Sequence, residues 1–242
     1  MKDYSWSYSA YSSALRCLKE FDYTYIQKIP EAATDSDLRF GTALHGALNE
    51  TISGGDGKEF FKVFWDSEKS TFQDTGRFDW DELGALGDKF LNTFGRKYAK
   101  ELVVEEAEVR AYSEYKGIKI EGTADFIGTF KGRKCVLDFK SSSYNYKSDK
   151  SVVALQLYLY AYLAKSKLGF VPETLCYLVF NKGLGTIQVL EWDFDGDKQT
   201  EALDQMVEYV RTIQKEQQSY PKNYNSCLIG TRKCKYWSKC HG

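Results

Sequence analysis

The chain has 242 residues, 43% of them apolar and 28% charged, with only 3 Pro, a composition that suits one medium folded domain with a sizeable core and excludes a disordered chain. Its formal net charge of −1 gives no overall pull toward nucleic acid, so any such attraction has to come from a local patch. No run of eighteen apolar residues occurs, which excludes a helical membrane span. The opening residues Met1 to Ser7 lack the apolar stretch of an export signal, so a cytoplasmic protein with no membrane partner is expected.

In chain order, Tyr8, Tyr11, Leu15, Leu18 and Phe21 recur at helical spacing and predict a helix over residues 7–28. A second helix is expected from Asp37 to Ile52, closed by Gly54-Gly55, and one or two more over 58–100, of which Trp80 to Lys100 is the clearer. Strands follow at 101–114, 117–130 and 133–141, with hairpin turns at Tyr115-Lys-Gly117 and Lys131-Gly-Arg133. Residues 151–168 return to helix, 173–181 and 186–194 read as two strands, and 196–217 as a last helix. The final residues, 218–242, show no helical or strand pattern and are rich in Lys, Tyr and Cys. The sum is an α/β domain with a hairpin-rich central sheet.

The chemistry concentrates in Lys134-Cys-Val-Leu-Asp138-Phe139-Lys140. Strand alternation puts Asp138 and Lys140 on one face of a segment apolar enough to lie inside a sheet. Thirteen residues upstream, Gly122-Thr-Ala-Asp125 offers a second carboxylate on a neighbouring strand. Acids that deep in a sheet are costly unless paired or metal-bound, and two of them would suit Mg²⁺, which prefers oxygen ligands. Lys140 adds a cation for a phosphate or a water. The plain alternative is a surface hairpin whose Asp and Lys form an exposed ion pair. Gln156 and Tyr160, four apart in the next helix, share a face; they suit either a DNA backbone, a water or ordinary packing. His45, in Gly41-Thr-Ala-Leu-His-Gly46, sits among small residues that would admit another chain or a substrate, or is a plain helix histidine.

Of the 6 Cys, Cys135 and Cys176 lie in apolar strands and read as small buried hydrophobes. Cys17 and the three tail residues Cys227, Cys234 and Cys240 suggest a metal clasp rather than disulfides in a reducing compartment. Zn²⁺ also accepts four thiolates. Arg232, Lys233, Lys235 and Lys239 interleave with Tyr236 and Trp237, and Lys147 and Lys150 flank the Gln156 helix. Such mixtures neutralise phosphates and stack on unpaired bases, or are solvated loops whose aromatics pack inward.

The ordered set His45, Asp125, Asp138-Phe-Lys140, Gln156-x-x-x-Tyr160 resembles the RecB-like branch of the PD-(D/E)XK nucleases over roughly residues 7–242. The resemblance implies a restriction-endonuclease-like core in a single domain. Residues 1–100 would be its helical N-terminal part, 101–217 the nuclease core, and 218–242 a cysteine-bearing tail closing on Cys17. It implies Mg²⁺ or Mn²⁺ held by His45, Asp125, Asp138 and the Phe139 carbonyl, with Lys140 positioning the attacking water. Gln156 and Tyr160 would contact DNA or order the site, and an upstream glutamate would be Glu105 or Glu106. The tail Cys234-Lys-Tyr-Trp-Ser-Lys-Cys240 is similar to that of the iron–sulfur members, implying a 4Fe–4S cluster on Cys17, Cys227, Cys234 and Cys240. One departure is Thr231, where those members usually carry a cysteine.

A metal-dependent DNA exonuclease acting on single-stranded or free ends is therefore expected, in DNA repair and recombination, CRISPR adaptation or phage DNA metabolism, with a protein partner in such a complex. Two alternatives remain: a catalytically weak DNA-binding or partner-recruiting module on the same fold, and a metal scaffold whose two acids lie apart.

Overall fold

A computed structural model describes residues 4–30, 36–71, 77–146, 154–215, 220–229 and 232–241. Two compact units share the chain, one of Thr34–Ala111 with Gly122–Gln199, the other of Met1–Ala33, Tyr112–Glu121 and Thr200–Gly242.

The larger unit holds the bulk of a five-stranded sheet. Strands β1 (Leu102–Tyr115), β2 (Ile118–Phe130), β3 (Arg133–Ser142), β4 (Thr174–Asn181) and β5 (Thr186–Asp193) lie in sequence order. Lys131 and Gly132, both left-handed (φ 51° and 81°), turn β2 into antiparallel β3, pairing Phe130 with Arg133. That two-residue turn matches the strand twist. β3 and β4 are parallel, which demands a crossover, and α6 (Ala154–Leu168) supplies it. β4 and β5 close as a hairpin.

Because side chains alternate, Cys135, Leu137 and Phe139 of β3 and Cys176, Leu178 and Phe180 of β4 enter one core. It is shared with α3 (Ser36–Ile52), α4 (Gly57–Glu68) and α5 (Trp80–Lys97). Asp79 caps α5 in a capping box with Glu82, and Asp56 caps α4. The other face of β3 and β4 meets α6, which is apolar nearly all round and mostly buried up to Ala164, with its last turn Lys165–Leu168 exposed. Gly122 of β2 allows this: a Cβ there would come within 2.8 Å of the Tyr160 ring. The glycines flanking His45 serve packing too, since a Cβ at Gly46 would strike Phe60 of α4 and one at Gly41 would crowd Ser141 of β3. The space beside these two glycines is thus occupied by Phe60 and Ser141, while the His45 ring itself stays partly exposed.

In the smaller unit the expected single helix over 7–28 is broken. α1 (Tyr8–Arg16) ends at Cys17, whose backbone is extended (φ −161°, ψ 114°), and α2 (Leu18–Phe21) passes into a π-turn at Asp22–Ile26. The break frees the Arg16 carbonyl, which the tail satisfies through Asn223 Nδ2 at 2.8 Å and Ser226 Oγ at 2.9 Å. Periodicity alone is blind to a partner 200 residues away. Trp6 stacks on Phe21 at 4.9 Å and bridges Ile120 of the hairpin tip. α7 (Gly196–Lys215) supplies Tyr209, whose hydroxyl donates to the Ala14 carbonyl at 2.9 Å. The tail has more regularity than its sequence suggested: a 3₁₀ turn at Tyr224–Ser226, the strand pair β6 (Leu228–Ile229) and β7 (Arg232–Lys233), and α8 (Trp237–His241).

Candidate active site

The β2–β3 ladder stops at Phe126–Leu137. Beyond it the backbone groups of β3 need other partners, and the Asp125 carboxylate fills the gap: its Oδ2 accepts from the Phe139 N–H at 2.7 Å. The N–H and C=O of one strand residue point to the same edge, so the Phe139 carbonyl also faces this opening. His45, at mid-length of α3, brings Nδ1 to 3.5 Å from the same Asp125 oxygen and sets its ring edge-on against Phe139.

Asp138 is 2% exposed. Its Oδ2 lies 2.6 Å from Lys140 Nζ as an ion pair, yet receives no hydrogen bond of acceptable angle. Its Oδ1 accepts from Gln156 Nε2 at 3.3 Å. Gln156 is fully engaged: the same nitrogen donates to the Tyr160 hydroxyl at 2.8 Å, and Oε1 accepts from the Tyr177 hydroxyl at 3.3 Å. A carboxylate only accepts, so it fixes which end of the amide it meets. Gln156 and Tyr160 are buried, and Gln156 links the Tyr160 hydroxyl to the Asp138 carboxylate. Tyr177, set opposite Asp138 by the β3–β4 register, completes the chain of hydroxyl, amide and carboxylate. Sequence reading passed over it, although a tyrosine hydroxyl in a central strand needs a partner.

Burial, with the Asp125 carboxylate beside it, pushes Asp138 up to about 7 despite Lys140. Burial opposes the charge on Lys140 and on His45, but the carboxylates of Asp138 and Asp125 hold Lys140 above its ordinary value, and Asp125 does the same for His45. Two acids and two bases thus form one network around the buried Asp138, with Asp125, His45 and Lys140 partly exposed.

Glu105 and Glu106, the two upstream candidates, are both exposed. Glu108 stands out, with a left-handed φ of 49° in mid-strand, and its Oε1 accepts from Asn49 Nδ2 at 2.7 Å. Asn49 lies one turn beyond His45 on α3. Glu108 lies on β1, which neighbours β2 and its Asp125 in the sheet. A left-handed non-glycine costs about 1–2 kcal/mol and marks a site whose conformation matters more than its ease. Glu108→Gly should therefore exceed Glu108→Ala in stability by about 1 kcal/mol in urea melts, while both lose cleavage activity. Equal stabilities would show that the backbone there is unstrained.

Among the described residues no group of three His, Cys, Asp or Glu side chains converges on one metal position. The donors nevertheless fit a hard divalent cation. Asp138 keeps a buried oxygen without a hydrogen bond, a second carboxylate raises its proton affinity, and a carbonyl and an imidazole face the same opening.

In the smaller unit Cys17, Cys227, Cys234 and Cys240 are all free thiols. Cys17 Sγ accepts from the Asn223 N–H at 3.4 Å, and the Cys234 N–H donates to the Cys227 carbonyl at 2.9 Å. Burial pushes Cys227 up, as do Cys17 and Cys240; burial likewise raises Cys234, with Cys227 and Cys240 adding to it. His241, unremarked in the sequence, brings Nε2 to 3.5 Å from Cys227 Sγ and stacks on Trp237 at 4.2 Å. Tyr236 is buried and hydrogen-bonded to Thr24 and the Ile29 carbonyl, so this ring packs inward, while Trp237 is half-buried. Lys147 and Lys150, and the side chains of Arg232 and Lys233, lie outside what the structure describes.

No curated protein matches the chain. Among solved structures, a protein described as a putative exonuclease from Eubacterium rectale superposes with a TM-score of 0.63 at 14% identity, covering 100% of this chain and 94% of that one. A partial match to SSO0001 covers 56% of this chain and 59% of the other at 19% identity and a TM-score of 0.35. The family model of the PD-(D/E)XK nuclease superfamily matches residues 5–241. With the match running from before α1 to the end of α8, and with two acids and a lysine meeting where β2 and β3 part, the chain belongs to the PD-(D/E)XK nuclease superfamily.

Proposed function

We propose that the protein is a Mg²⁺- or Mn²⁺-dependent DNA exonuclease of the RecB-like branch, acting on single-stranded or free ends. The observation that carries this reading is the joint placement of Asp125, Asp138 and Lys140 with His45 at the open end of the β2–β3 ladder. The two carboxylates, His45 Nδ1 and the Phe139 carbonyl would hold the cation, which supplies charge neutralisation at the phosphate and a more acidic water. Lys140 Nζ, fixed beside Asp138, holds the attacking water or a phosphate oxygen. Gln156, locked by Tyr160 and Tyr177, keeps Asp138 in one orientation. Glu108 is the further acid of this wall.

The four thiols of the smaller unit suit a structural 4Fe–4S cluster, with Zn²⁺ as the other metal that four thiolates accept. Burial and the neighbouring thiols raise Cys227 and Cys234, a cost that a cationic centre would offset. Phosphodiester hydrolysis moves no electrons, so the cluster would hold the chain ends rather than react. DNA repair, recombination, CRISPR adaptation and phage DNA metabolism are the settings for such an enzyme, as a lone protein or a subunit of a complex.

The test is digestion of end-labelled single- and double-stranded DNA with Mg²⁺ or Mn²⁺ by anaerobically purified protein, beside Lys140→Ala. Metal-dependent products that fall about 10²–10³-fold in the variant support the reading. DNA binding with no cleavage by wild type would favour a recruiting module on the same fold.

A further inference from the structure

We propose that Tyr144 is a stacking platform for an unpaired base of the bound strand, and that it is the source of a preference for single strands. This rests on the nuclease reading above. Past Lys140 the catalytic strand runs on to Ser142 and into residues 143–146. Ser143 and Tyr144 form a bend beyond the strand end, so at about 3.3 Å per extended residue Tyr144 lies within about 13 Å of Lys140.

The backbone on both sides of Tyr144 is tied down. The Lys182 N–H donates to the Ser142 carbonyl at 2.7 Å, and the Tyr144 N–H donates to Ser142 Oγ at 3.1 Å. Asn181 Nδ2 donates to Asn145 Oδ1 at 2.7 Å. The Gln188 side chain brackets Tyr146 as a strand neighbour would, accepting from its N–H at 3.0 Å and donating to its carbonyl at 2.8 Å. The turn making these contacts is itself anchored, because Lys182 is buried, paired with Asp37 and set over the Phe40 ring. Gly183 approaches so closely that a Cβ would meet the Ser143 carbonyl at 2.5 Å.

On this fixed segment the two neighbouring aromatics behave oppositely. Tyr146 packs edge-on against Tyr177, which lies beneath Lys140. Tyr144 is left 73% exposed. Burying such a ring is worth about 1.5–3 kcal/mol, so a braced backbone that keeps it in water forgoes a stabilisation that its neighbour obtains. An aromatic held out rigidly beside a line of phosphates loses little entropy when a base stacks on it. Duplex bases are already stacked and offer no free face.

The test is fluorescence anisotropy with a labelled oligothymidylate and a duplex of equal length, in EDTA, followed by digestion of the same substrates with Mg²⁺. Base–aromatic stacking of about 1–3 kcal/mol predicts that Tyr144→Ala weakens single-strand binding about 5–150-fold. Duplex binding should shift less than about twofold, and Tyr144→Phe should restore the single-strand affinity. Unchanged single-strand affinity in Tyr144→Ala, equal losses on both substrates, or no rescue by Phe would each overturn the proposal. If Tyr144-dependent binding is found but wild type cleaves neither substrate, the platform stands and the nuclease reading fails.

Discussion

Asp138→Asn is expected to lower metal-dependent cleavage at least about 10³-fold, because it removes a hard anionic ligand from a buried site whose supporting contacts alone are worth about 10–100-fold. The same substitution should change how stability responds to pH. Asp138 has a folded-state value raised to about 7, whereas an ordinary aspartate sits near 3.8. A raised carboxyl favours the folded protein while protonated. That contribution is complete below about pH 4 and is lost as pH rises through 7. In EDTA, wild type should therefore lose more melting temperature than Asp138→Asn between pH 5.5 and 8. Mg²⁺ or Mn²⁺ should reverse the loss in wild type only. The metal needs the carboxylate, so its apparent Kd should rise about tenfold for each pH unit below 7. Parallel melting curves for the two proteins at every pH would show that Asp138 ionises freely and is no metal ligand.

Cys234→Ser is expected to abolish metal retention in the tail and to lower the melting temperature by roughly 5–10 °C, equivalent to about 3 kcal/mol in a chain of this size. Among the tail residues whose burial is described, only Cys227 and Tyr236 are buried. On the proposed clasp, metal affinity would be folding free energy. Lys140 and Asp138 belong to the other compact unit, so the metal dependence of any residual cleavage should be unaltered. Iron and sulfide assays on the wild type separate a cluster from zinc. A wild type free of both, with a variant equally stable, would remove the clasp.

The two acids and their lysine were legible because a charged triplet inside an apolar strand contradicts its surroundings unless the charges have a task. The left-handed backbone at Glu108 was not, because nothing in Glu105-Glu-Ala-Glu108 says which residue takes it. The role of Gln156 was legible only as a choice. An i, i+4 pair defines a helix face, and what that face meets depends on the β3–β4 register that brings Tyr177 opposite Asp138. The break at Cys17 ran against an unbroken helical period, because the Arg16 carbonyl has its partners in Asn223 and Ser226.

Local periodicity and turn chemistry determined the strands, the hairpins and the order His45, Asp125, Asp138, Lys140, since these depend on residues a few positions apart. Tertiary structure alone decided that β2 and β3 part at Phe126–Leu137, that Asp125 fills the gap and that α3 brings His45 there. It also decided that Tyr144 stands in water while Tyr146 is packed. Those outcomes turn on backbone partners tens of residues apart, and no local pattern specifies which unpaired N–H a carboxylate will find.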